Sequence, residues 1–230
     1  MAKPKKPPFS PQRRKVIAGV AVVSSQLIMP IASYASSKRP TSIGRDKMDV
    51  DRFVEDCLIA NQEVDAQAAV KEVLSKAVST PKAVISALGE PEKAGLNVLL
   101  SSSTLTIFAA TWTPQMNLMP HDHLMWASIG IYTGREDNIF WKRSADGIKA
   151  YGAEALFVRD TASLPEDAVH SVTNPLLRFT GGIHIYGGDF FHTTRSQWDP
   201  ETLEEEPSDG DVIRGIFQRE NERLGLGSTS

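Results

Sequence analysis

The chain is 230 residues long, 41% hydrophobic and 23% charged, so it can bury one sizeable core and is neither disordered nor collagen-like. Its charge is uneven: the first 35 residues hold six cations and no acid, and the rest sets 19 Lys and Arg against 28 Asp and Glu, a net charge of −9. That acidic balance argues against nucleic acid as a partner, and the single cysteine, Cys57, excludes an internal disulfide or a Cys-rich zinc or redox site.

At the N-terminus, Lys3, Lys5, Lys6, Arg13, Arg14 and Lys15 are interspersed with Pro4, Pro7, Pro8 and Pro11, so no regular element is expected there. An apolar-leaning stretch from Val16 to Ala32 follows, then Ser33-Tyr34-Ala35-Ser36, with small residues three and one before a cut after Ala35. That is the layout of a secretory signal over residues 1–35, and the adjacent Arg13-Arg14 looks like a twin-arginine export signal. The expected location is therefore periplasmic or secreted, with no stable membrane insertion once the signal is removed. Two other readings stay open: a membrane anchor, since the stretch is near the lower length limit for a span, and a disordered basic tail on a cytosolic protein.

Residues 36–46 read as a polar linker and 47–94 as a helical layer. Val50, Phe53, Val54, Cys57 and Leu58 recur at helical spacing behind Asp49, a good N-cap. A second helix is expected from about Val64 to Val78, with Ala68, Ala69, Val73 and Leu74 inward. A third is capped by Thr80, opens on Pro81 and stops at Gly89. Cys57 belongs to this packed layer as a small buried side chain.

Beyond Gly95 the pattern changes to short β-rich runs divided by turn residues: Leu105–Trp112, Met125–Tyr132, Asn138–Lys142, Ala155–Val158, Ala168–Val172 and Gly182–Tyr186. Such spacing predicts a small barrel or two-layer sandwich over residues 95–230. Glu204, Glu205 and Glu206 read as a solvated acidic loop, and Val212, Ile213, Ile216 and Phe217 predict a terminal amphipathic helix.

With cysteine excluded, a metal would be held by His, Asp or Glu. His121 and His123 stand at i and i+2 at the expected start of a strand, so their rings project from one side of a sheet. His170 lies on another short strand. Brought together, the three imidazoles would occupy one side of an ion and leave the other for water, oxygen or substrate; this ligand type suits iron, zinc, copper or nickel alike.

Several ordered blocks carry a family resemblance: Trp112; His121-Asp122-His123; Gly134-Arg135-Glu136-Asp137-Asn138; Val169-His170-Ser171-Val172-Thr173-Asn174-Pro175; and Gly182-Ile183-His184-Ile185-Tyr186-Gly187-Gly188-Asp189. Over roughly residues 95–195 the chain resembles the cupins and, within them, the cysteine dioxygenase-like thiol dioxygenases. The resemblance implies a mainly β, double-stranded β-helix fold (a small jelly-roll barrel) with an N-terminal layer of helices. It implies ferrous iron on His121, His123 and His170, and a small thiol and dioxygen as reactants. His184 and Tyr186 would then form an outer-sphere relay, the imidazole orienting a phenol able to donate a proton.

The chain also departs from that pattern. Gly182 stands where the relay has a serine, Ser128 where a thioether crosslink needs cysteine, and Gly95 where cysteine dioxygenases have a carboxylate-binding arginine. Arg195 stands where mercaptopropionate dioxygenases have theirs and could grip a substrate carboxylate bidentately; an ion pair to Asp189 or Asp199 is an equal reading. Two further readings stay open: a non-catalytic cupin holding zinc or nickel, and a cupin enzyme acting on a non-thiol substrate. His192 reads as an exposed loop histidine, and Asp122 as pointing away from the ligands.

Overall fold

Local capping chemistry bounds the helices. The computed structural model describes residues 47–145 and 147–227; the expected export signal and the linker at 36–46 lie outside the described residues. Helix α1 (Val50–Ala60) starts where Asp49 accepts the Arg52 N–H at 3.0 Å, and α2 (Ala66–Val78) where Asp65 accepts that of Ala68 at 3.1 Å. Helix α3 (Pro81–Leu88) opens on proline and ends at Gly89, whose φ of 92° favours glycine. The inner stripe of α2 is Val70, Leu74 and Val78. Ala68, expected inward, is exposed, because Val70 rather than Ala68 sets the phase of the buried face. Among the described residues no helix is long and apolar enough to cross a membrane.

Among the described residues eleven strands follow: β1 (Gly95–Ser101), β2 (Thr106–Trp112), β3 (Asn117–Asp122), β4 (Ala127–Thr133), β5 (Arg135–Ser144), β6 (Gly147–Phe157), β7 (Thr161–Leu164), β8 (Val169–Thr173), β9 (Thr180–Tyr186), β10 (Ser196–Trp198) and β11 (Glu205–Pro207). They form two antiparallel sheets, ordered β1-β2-β9-β4-β7 and β11-β10-β3-β8-β5-β6. Within these, β2 to β9 give the interleaved orders 2-9-4-7 and 3-8-5-6, the double Greek key of a jelly roll. The mainly β, double-stranded β-helix fold with a helical layer is thus present. The acidic run departs from expectation: Glu205 and Glu206 pair with β10 as a short exposed strand rather than a loop.

Strand β9 lies between two cores. Ile183 and Ile185 join Ile107 and the buried faces of α1 and α2 on the outside, while Tyr186 joins Phe108, Trp112 and Ile129 inside the barrel. Alternation therefore gives β9 no solvent face, and all its residues are buried. Gly130 on β4 lets α2 approach, since a Cβ there would fall 2.9 Å from Leu74 Cγ. Leu74 is fully buried at this contact, so Leu74→Ala is expected to lower unfolding free energy by about 2–5 kcal/mol, read from urea denaturation; a loss below about 1 kcal/mol would contradict the packing described. Cys57 lies in the same layer, where burial and then nearby Asp56 push its thiol up to about 12, leaving it protonated and a poor nucleophile.

Helix α4 (Gly210–Arg223) closes one end of the barrel. Phe217 stacks on Trp112 with ring centres 5.6 Å apart, and Asn221 bonds both the N–H and the C=O of Ala94.

Candidate metal centre

His121 on β3 and His170 on β8 are direct cross-strand partners, so their rings leave the same face of the six-stranded sheet. His123 keeps this alternation just past the end of β3, and Leu124, at φ 52°, turns the chain toward β4. The pair therefore closes β3 instead of opening the following strand, as its spacing before Met125 had suggested. Asp122 between them points the other way, to Arg143 at 2.7 Å and the Ser196 N–H at 2.8 Å.

One nitrogen from each of His121, His123 and His170 lies within 4.8 Å of the others, and all three side chains are buried. Hydrogen bonds fix two of the tautomers. His121 Nδ1 faces the Met119 carbonyl at 3.0 Å and His170 Nδ1 the Asn138 side-chain oxygen at 2.6 Å; both acceptors require an Nδ1–H, which leaves each Nε2 lone pair directed inward. His170 Nε2 is 3.1 Å from His123 Nε2. Burial lowers the His121 pKa to about 4, and burial with the other imidazoles lowers those of His123 and His170 well below the ordinary value. Neutral imidazoles with converging lone pairs are the form that binds a metal ion, and the donor set fits one. Imidazole alone does not choose the metal.

The wall facing the triad comes from β9. His184 and Tyr186 both point into the barrel, the Tyr186 hydroxyl 3.4 Å from His184 Nδ1. The Tyr186 ring sits 4.9 Å from that of His123 and 4.2 Å from Phe190. Burial raises its phenol pKa well above the ordinary 10, so the hydroxyl keeps its proton. Sequence reasoning gave no role to Glu136, which is fully buried on β5. It accepts from Trp112 Nε1 at 2.8 Å and Asn138 Nδ2 at 3.1 Å, and its Oε2 lies 3.2 Å from His184 Nε2, near but off the line of a good hydrogen bond. Burial raises its pKa, but His184 and the two donors outweigh that and leave it below the ordinary value. Its signal was the alternation Glu136-x-Asn138, hidden in a run that reads as a charged turn.

Arg195 donates from Nη1 to the Phe190 carbonyl at 2.6 Å, and its guanidinium lies 3.8 Å from the Phe190 ring centre. Neither alternative ion pair forms: Asp189 takes His192 at 2.8 Å, and Asp199 accepts the N–H groups of Glu201 and Thr202. The Arg195 charge acts on His121, His123 and Tyr186. Burial lowers its own pKa, against the pull of Tyr186 and Asp122. Two other arginines of the barrel are elsewhere occupied or exposed: Arg135 pairs with Asp137 at 2.6 Å, and Arg178 is in solvent.

No protein-family model and no curated protein matches the chain. Among solved structures it is similar to a cupin domain from Bordetella pertussis Tohama I, at 17% identity over 42% of this chain and 95% of that one, with a TM-score of 0.32. It is also similar to a cupin superfamily protein from Desulfitobacterium hafniense DCB-2, at 13% identity over 44% and 84% with a TM-score of 0.36. A third is an uncharacterized conserved protein with a double-stranded beta-helix domain from Klebsiella pneumoniae, at 11% identity over 52% and 88% with a TM-score of 0.35.

Proposed function

We propose that this protein is a mononuclear non-haem iron oxidoreductase that adds dioxygen to a small, carboxylate-bearing thiol. The observation that carries the reading is the convergence of three buried, neutral imidazoles, two of which feel the charge of a guanidinium that forms no ion pair among the described residues. Ferrous iron on His121, His123 and His170 would supply the redox chemistry between thiolate and dioxygen. The overall change is balanced as RSH + O2 → RSO2H, with no other reductant required.

The remaining work falls to the chain's own groups. Arg195 uses Nη1 on the Phe190 carbonyl, which leaves Nη2 and Nε to grip a carboxylate as a fork. Tyr186 holds a proton on its hydroxyl at the triad's edge and is aligned by His184. The rings of Phe108, Phe190 and Tyr186 exclude water beside them. Arg195→Gln is accordingly expected to raise KM about 10–100-fold for a thiol carrying a carboxylate and to leave KM unchanged for a thiol lacking one. Equal effects on both thiols would contradict the carboxylate role.

The direct test of the reaction is the product. Iron-loaded full-length protein given an ω-sulfanyl carboxylic acid under 18O2 should release a sulfinate carrying two labelled oxygens. The second reading, a non-catalytic centre for zinc or nickel, draws support from Gly182, which supplies no hydroxyl to His184. Tightly held metal with no labelled sulfinate from any small thiol would favour it over the first.

A further inference from the structure

Glu136 is fully buried beside the site, and the reaction above leaves it without a task. A carboxylate without water is costly unless donors surround it. Indole nitrogen can only donate, so Trp112 requires Oε2 to be an acceptor. The same oxygen lies 3.2 Å from His184 Nε2, which has no other partner among the described residues. An unprotonated Nε2 would set lone pair against lone pair at that distance; a proton there turns repulsion into attraction. The opposite nitrogen, Nδ1, then faces the Tyr186 hydroxyl at 3.4 Å.

The topology explains why the partner comes from this position. Gly182, one alternation before His184 on β9, offers no side chain to the ring, and a Cβ there would already lie 3.3 Å from Nε2. Glu136 reaches the ring from β5, in the other sheet. Its second oxygen turns the Asn138 amide so that Nδ2 donates to the carboxylate and Oδ1 receives His170 Nδ1 at 2.6 Å. One carboxylate thus touches the supports of both the ligand His170 and the His184–Tyr186 pair.

We infer that Glu136 is a positioning residue: its carboxylate fixes a proton on His184 Nε2, which turns Nδ1 to Tyr186, and through Asn138 it orients His170. The arrangement belongs to the protein itself and does not depend on the identity of the thiol.

Nitrogen NMR of the metal-free full chain, labelled with 15N-histidine, reads this proton, with His184→Asn identifying the His184 signals. The wild type is expected to carry a proton on Nε2 of His184, with or without a second on Nδ1. Glu136→Gln keeps an acceptor oxygen toward Trp112 and His184 and is expected to keep that Nε2 proton, whereas Glu136→Leu, of similar size but with no acceptor, is expected to lose it. A role in packing alone predicts the Nε2 proton unchanged in both variants. In iron-loaded protein Glu136→Leu should also lower kcat about 10–100-fold with KM unchanged. A wild-type proton on Nδ1 alone, or an unaltered His184 spectrum in Glu136→Leu, overturns the inference; if the Leu variant does not fold, the wild-type spectrum decides. The spectrum is read without metal, thiol or oxygen, so its failure is separate from failure of the proposed reaction.

Discussion

His170→Ala is expected to abolish stoichiometric metal binding. If each ligand carries about 3–4 kcal/mol, as structural zinc sites suggest, losing one of three weakens affinity about 10²–10³-fold. The substitution also frees the Asn138 oxygen in a buried site, at about 1–3 kcal/mol of stability, which the fold should survive. His192→Ala is the matched control: that ring is exposed and, among the described residues, paired only with Asp189, so metal content should not change. Metal analysis after gel filtration against a micromolar free-ion buffer reads both variants. A His170→Ala protein that keeps one metal per chain would place the ion elsewhere.

Tyr186→Phe should keep the metal and lose the reaction. The phenyl ring preserves the contacts with Phe190 and Phe108, so only the hydroxyl is removed. A positioned proton donor contributes about 10²–10⁴-fold to a rate, and a fall of that order in kcat with unchanged iron content is the expected result. Because burial raises the phenol pKa far above 10, loss of its proton should leave no limb in the wild-type pH–rate profile below pH 10. If Tyr186 merely fills the barrel wall, the variant will turn over at nearly the wild-type rate.

Whether a feature was legible in the sequence followed how local its cause is. The starts of α1 and α3 could be read because Asp49 and Pro81 act within one turn of themselves, whereas α2, expected from about Val64, begins at Ala66 behind the cap Asp65. Strand β9 could be read from its apolar run. Strand β3 could not: Asn117-Leu118-Met119-Pro120 does not alternate, and its ladder is supplied by β8 and β10, remote in sequence. Most of β6 was missed for a related reason. Its Gly and Ala residues have low strand propensity, and its pairing comes from the long hairpin with β5.

The site divides in the same way. His121 and His123 declared themselves through period-two spacing, and His170 by its strand, but their tautomers rest on Met119 and Asn138, which no spacing reveals. For Arg195 the sequence left a substrate carboxylate and two aspartates level; the structure removes both aspartates by giving each another partner. Glu136 entered the sequence reading only as one residue of the Gly134-Arg135-Glu136-Asp137-Asn138 block. It is outside the triad, and its importance comes from crossing between sheets to His184, a relation created by the fold.

The central claim, that the three histidines hold an iron that joins thiol to dioxygen, is tested most directly by oxygen uptake. Full-length protein purified without oxygen, loaded with one equivalent of ferrous iron and offered a panel of small thiols, should consume one O2 per thiol, fastest for thiols bearing a carboxylate. Iron held at one equivalent with no thiol-dependent uptake across the panel would contradict it.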